Sequence, residues 1–194
     1  TALGLRVATL GTYVGKGFAS PDATVQEEEL ALLRRAVDLA TLYGARSIRV
    51  SPGDDVPAHL AEIARCFRQG AAYAAQKGVR LAFETHGGGI SGHPALCVEL
   101  ATQVGSPFFG VLYDPCNLMH GGMDYRLALW TMRAHIAHVH LKDGAVFQDG
   151  FHLTPLGQGQ LDFRWIVETI RHWPFSLPKQ MAAGVSSSKP SALV

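Results

Sequence analysis

Residues 79–84 read VRLAFE, residues 108–114 read FFGVLYD, and residues 136–140 read IAHVH. Each run is apolar and rich in β-branched or aromatic side chains. Each ends on a group that can ligate a metal: Glu84, Asp114 and His140. Polar or glycine-bearing sequence follows every run, and a helix-period segment separates one run from the next. Near-continuous apolar strands alternating with helices mark a parallel sheet covered on both faces. Successive strands of such a sheet finish on the same side, so the three side chains are expected to converge. Taken singly, a strand-end carboxylate is usually a helix cap or salt-bridge partner, and a lone histidine a hydrogen-bonded core residue. As a matched set, two carboxylates and an imidazole suit one divalent ion (Mn, Mg, Co or Zn) with open positions for water or substrate.

Outward from these runs the alternation continues. Leu5–Leu10 predicts a first strand. Thr24 as N-cap, with Glu27 three residues on, predicts a helix that stops at Gly44 and carries Leu30, Leu33, Val37 and Ala40 at helical spacing. SIRVS (47–51) is a further strand. Helices are predicted over about 57–77, 94–104, 124–134 and 162–172, the first two stopped by Gly78 and Gly105. Residues 144–160 read as a long loop. The unit recurs about every 30 residues, the size of a βα module. A (β/α)8 barrel and a doubly wound open sheet both fit this order. No G-x-G-x-x-G follows the first strand, and functional residues at several strand ends favour the barrel. Residues 1–173 form the expected domain; 174–194, with prolines and a serine run, are an atypical tail expected to be poorly ordered.

Composition narrows the function. Of 194 residues, 47% are hydrophobic and 17% charged, which suits a buried sheet; the net charge of +1 gives no footprint for nucleic acid or an anionic membrane. Cys66, Cys97 and Cys116 have no C-x-x-C spacing and read as reduced thiols. With no apolar run of transmembrane length and no signal-peptide pattern, a cytoplasmic location is expected.

Around the three candidate ligands, several residues have a plausible second role. His138 shares the strand face of His140 and is expected in the interior or beside the ligand. Lys142, just beyond, is positioned to stabilise an oxyanion or to hold a carboxylate ionised. Asp143 reads as a turn former. His86 and Asn117 are candidate substrate contacts, and Gly87, Gly88 and Gly89 give a loop able to move over the site. His93, His120 and His152 lie in loop sequence and are not expected to be ligands.

The motifs ETHGGG (84–89), YDPCNLMHGG (113–122), HVHLKDG (138–144) and PLGQGQLDF (155–163) together resemble the sugar phosphate isomerase/epimerase family of xylose-isomerase-like TIM barrels, over roughly residues 5–173. The resemblance implies that Glu84, Asp114 and His140 bind one divalent metal and that Glu84 doubles as acid/base. It also implies that a sugar or sugar phosphate is isomerised or epimerised through an enediolate. An inosose-type dehydratase on the same scaffold is the nearest alternative. A non-catalytic sugar- or partner-binding barrel is another. An apurinic-site endonuclease is disfavoured, because Asn117 stands where that branch has a histidine. The family's second glutamate, on the last barrel strand, has no counterpart, since no Asp or Glu follows Glu168. The chain thus resembles strands three to seven of a barrel, without the first two or the last. Such an open barrel exposes two edges. Either another chain, as in a homo-oligomer, covers them, or the tail does, or the sequence is a fragment. Turnover by this chain alone is expected to be weak or absent.

Overall fold

The computed structural model describes residues 4–53, 55–171 and 173. Four strands form its main sheet: β1 (Ser47–Val50), β2 (Arg80–Glu84), β3 (Phe109–Tyr113) and β4 (Ile136–Val139), bonded in the order in which they occur. All pairings are parallel, with Ile48 beside Leu81, Phe83 beside Val111, and Leu112 beside His138. Doubly wound sheets reverse their strand order at a switch point. This order has no reversal, so the sheet is a stretch of barrel wall.

Helices cross between the strands. Helix α1 (Ala23–Leu42) precedes β1, α2 (Leu60–Lys77) lies between β1 and β2, and α3 (Pro94–Val104) between β2 and β3. Two short helices, α4 (Pro115–His120) and α5 (Tyr125–Met132), connect β3 to β4. Neighbouring helices pack in sequence, α1 on α2 and α2 on α3. The α1–α2 contact is close because residue 70 is glycine: a Cβ there would stand 3.0 Å from both δ-methyls of Leu33. Phe67 of α2 is fully buried, with its ring centroid 5.0 Å from that of Phe18, 4.9 Å from Phe109 and 6.4 Å from Phe83. The strands beneath are largely buried in β1 to β3, as the apolar runs require, and half-buried through most of β4; Ile48, Val50, Leu81, Val111 and Leu112 are all inaccessible to water.

Several expectations need correction. The strand over Leu5–Leu10 shrinks to a single parallel bridge between Leu10 and Ile48. Before and after it the chain reaches β1 through hydroxyls, Thr9 to the Ser47 carbonyl and Thr12 to the Arg49 carbonyl, which replace ladder bonds. Helix α1 is capped by Asp22, whose carboxylate accepts the Thr24 N–H at 2.8 Å, so Thr24 lies inside the helix. Residues 144–160 are not a plain loop. They hold most of an antiparallel hairpin, β5 (Asp143–Phe147) and β6 (Gly150–Thr154). The atypical tail, 174–194, lies outside the described residues.

The chain divides into two compact units at Phe163/Arg164. All the strands belong to the first. Helix α6 (Phe163–Arg171) falls almost wholly in the second, where Arg164 and Glu168 pair across one turn at 3.4 Å. Among the described residues, no helix is long and apolar enough to cross a membrane.

Candidate metal centre

Glu84 is the last residue of β2. Asp114 follows β3 and caps α4, and His140 follows β4. Parallel pairing brings these three strand ends to one edge. One ligand atom from each side chain lies within 4.8 Å of the other two. His140 Nδ1 is 2.8 Å from Glu84 Oε1 and 3.8 Å from Asp114 Oδ2. Bonds of about 2.0–2.2 Å from one ion to its nitrogen and oxygen ligands give ligand–ligand separations of this order. The donor set therefore fits a divalent cation in both chemistry and spacing.

The outer oxygens of the two acids are held by the protein. Glu84 Oε2 accepts from Arg49 at 2.7 Å, and Asp114 Oδ1 accepts the Asn117 N–H at 2.8 Å. Lys142 Nζ is 3.4 Å from Asp114 Oδ2 and also donates to the Asn117 carboxamide oxygen. Asp114 is only 1% exposed. Burial pushes both carboxyls upward, but it is outweighed. His140 and Arg49 hold Glu84 below the usual range; His140, the Asn117 amide and Lys142 do the same for Asp114. Asp114 and Glu84 in turn raise the His140 imidazole to about 9. Both acids are ionised at neutral pH, as metal ligation and proton abstraction both require.

The other candidates fall into place around this centre. His138 is half-buried, with its ring edge-on to that of His140 at 5.7 Å, and burial lowers its basicity. Asn117 is 6% exposed; its amide donates to the Thr85 carbonyl at 3.0 Å and accepts from Lys142, so it ties α4 to both neighbours. His86 is exposed on the cleft beside Glu84. His120 stacks on Phe151 and His152 pairs with Asp149, neither of them in the triad.

Asp143 is more than a turn former. It is 1% exposed and accepts four backbone N–H groups, from Gly144, Gly157 and Gly159 at 2.9 Å and Leu161 at 3.4 Å. The motif PLGQGQL thereby folds around a buried carboxylate. Glycine at 159 is required, since a Cβ there would stand 2.2 Å from Asp143 Oδ1.

Arg49 escaped the sequence reading. Its guanidinium bonds Glu84 and the Thr12 carbonyl and lies 3.9 Å over the Tyr13 ring. An arginine inside a short apolar strand was the available signal, because a cation there needs a buried partner.

Parallel βα modules with a two-carboxylate, one-imidazole cluster at the strand ends are the pattern of a TIM-barrel wall with a candidate metal site. The chain belongs to the xylose isomerase-like TIM barrel family, whose sequence pattern matches residues 1–179. A putative L-ribulose-5-phosphate 3-epimerase, UlaE, of Shigella dysenteriae serotype 1 is 29% identical over 178 residues, covering 87% of this chain. The chain spans 61% of that relative's length. Among solved structures, a xylose isomerase-like TIM barrel protein from Mycobacterium smegmatis in complex with magnesium superposes with a TM-score of 0.72 at 20% identity, covering 87% of this chain and 63% of the other. The probable 3-DHS dehydratase AsbF from Bacillus anthracis gives a TM-score of 0.70 at 18% identity, over 86% and 67% of the two chains. These two structures share the fold.

Proposed function

We propose that this chain carries the ion-holding half of a ketose or ketose-phosphate epimerase site, in which Glu84 moves a proton at the carbon beside the carbonyl. The convergence of Glu84, Asp114 and His140 at one edge of the sheet carries this reading, and the epimerase relatives support it. These three residues would hold the divalent ion. When bound there, it polarises a carbonyl oxygen and makes the neighbouring C–H more acidic.

The remaining chemistry belongs to the side chains. Glu84, ionised and half-buried, accepts the proton and returns it. Arg49 stays on Oε2 and orients the carboxylate throughout. Lys142, anchored by Asp114 and Asn117, places a positive charge beside the developing oxyanion. The ligand cluster among the described residues contains two carboxylates, and Asp114 is committed to capping α4. Inversion requires proton delivery from both faces of the planar intermediate. This chain therefore exchanges a proton on one face and inverts slowly.

Proton NMR of L-ribulose 5-phosphate in D2O with Mg²⁺ tests this. The C3 proton signal is expected to disappear with little epimer formed. A C3 signal that persists as it does without protein removes the reading, and a signal for a dehydrated product assigns elimination in its place.

A further inference from the structure

Adjoining Glu84 is an open cleft of about 340 Å³, near the lower end of the range for small-molecule sites. Among the described residues its charged lining is Lys16, Arg49, Asp55 and Glu84, and both cations lie over the ring of Tyr13. Both acids are engaged. Glu84 is bonded to Arg49 and His140, and Asp55 Oδ2 accepts the Ser91 N–H at 2.7 Å. Lys16 differs from them. Among the described residues no carboxylate pairs with its ammonium, which stands 4.6 Å over the Tyr13 ring. Arg49 lies over the same ring and bonds the Thr12 carbonyl through Nε and Glu84 through Nη1, which holds its guanidinium at the cleft wall.

The loop carrying Lys16 is fixed from beneath. Gly15 N–H bonds Glu29 Oε1 at 2.7 Å, Ser51 N–H bonds the Val14 carbonyl at 3.0 Å, and Phe18 is buried against Phe67. Residue 53 must be glycine, since a Cβ would stand 2.1 Å from the Lys16 carbonyl oxygen. The lysine backbone therefore sits on a rigid seat at the cleft wall.

We propose that this cleft seats the phosphate of a phosphorylated ketose, with Lys16 and Arg49 as its cationic contacts and the carbonyl end at the triad. The proposal rests on the ketose reading of that triad. A phosphate monoester carries about −1.5 to −2 charge at pH 7 and forms strong charge-assisted hydrogen bonds with both side-chain types. A neutral sugar gains nothing comparable from a lysine ammonium.

Isothermal titration of the whole chain with L-ribulose 5-phosphate and with L-ribulose, both in Mg²⁺, separates the possibilities. The phosphorylated sugar is expected to bind at least about tenfold more tightly, with inorganic phosphate competing and added salt narrowing the gap. Lys16→Met is expected to abolish the preference, Lys16→Arg to keep most of it, and neither to alter Mn²⁺ affinity. Equal affinity for the two sugars, a preference that survives Lys16→Met, or no sugar binding by protein that holds Mn²⁺ overturns the subsite. Failure of the wild-type chain to bind Mn²⁺ overturns the triad reading instead.

Discussion

Asp114→Asn is expected to lower Mn²⁺ or Co²⁺ affinity by at least about 100-fold while leaving the chain folded. Changes to residues that merely support metal ligands cost roughly 10- to 100-fold, and loss of a ligand's charge costs more. Folding survives because asparagine caps helices about as well as aspartate. The bond to the Asn117 N–H at the start of α4 is therefore retained. The lost charge also leaves Lys142 and His140 facing a neutral amide, so only Glu84 remains to draw a cation in. Calorimetric titration with the ion, together with a thermal melt of each variant, checks both halves. Unchanged affinity in a folded variant would refute the assignment of Asp114 as a ligand.

The second large effect is on stability. Asp143→Ala strands four backbone N–H donors around a site that is 1% exposed. A buried donor left without an acceptor costs about 1–3 kcal/mol, and water entering the gap offsets part of the total. A loss on the order of 4 kcal/mol is expected, a large share of a domain's usual stability. Urea unfolding measures it; a loss under about 1 kcal/mol would show that the motif is held by other contacts.

The same carboxylate has a pH signature. Burial pushes it up, yet the amides of Gly159, Gly144, Gly157 and Leu161 win and hold it below its ordinary value. A group depressed in the folded state stabilises fully above its unfolded pKa, about 3.9 for aspartate. That stabilisation fades as pH falls through the lower folded value. Asp143→Asn is therefore expected to flatten the stability profile below about pH 4 relative to wild type.

The triad was legible because its logic is one-dimensional. Three neighbouring strands with the same direction must end on one edge, and their terminal residues are read directly from the sequence. Helix α3 was legible for a similar reason, with Pro94 at its start and Gly105 at its end. What escaped depends on pairing. Thr9 and Leu10 are sufficiently apolar or β-branched to be a strand, but strand character requires a ladder, and here only a single bridge forms, at Leu10. The hairpin of β5 and β6 has a signal in Asp149-Gly150 between AVF and FHL: Gln148 and Asp149 make the turn, and Gly150 opens β6 opposite Phe147. Thr24 lost the cap to Asp22 two residues earlier, since either side chain can accept the first free amides. The Arg49–Glu84 contact joins residues 35 apart and has no local signature.

Phe67 ties the two ends of the candidate substrate path together. Its ring packs against Phe18 below the Lys16 loop and against Phe83 beside Glu84. A smaller side chain at that position would let both walls drift at once. Ion retention and ligand discrimination would then decline in parallel, a correlated defect that no single contact in the cleft would account for.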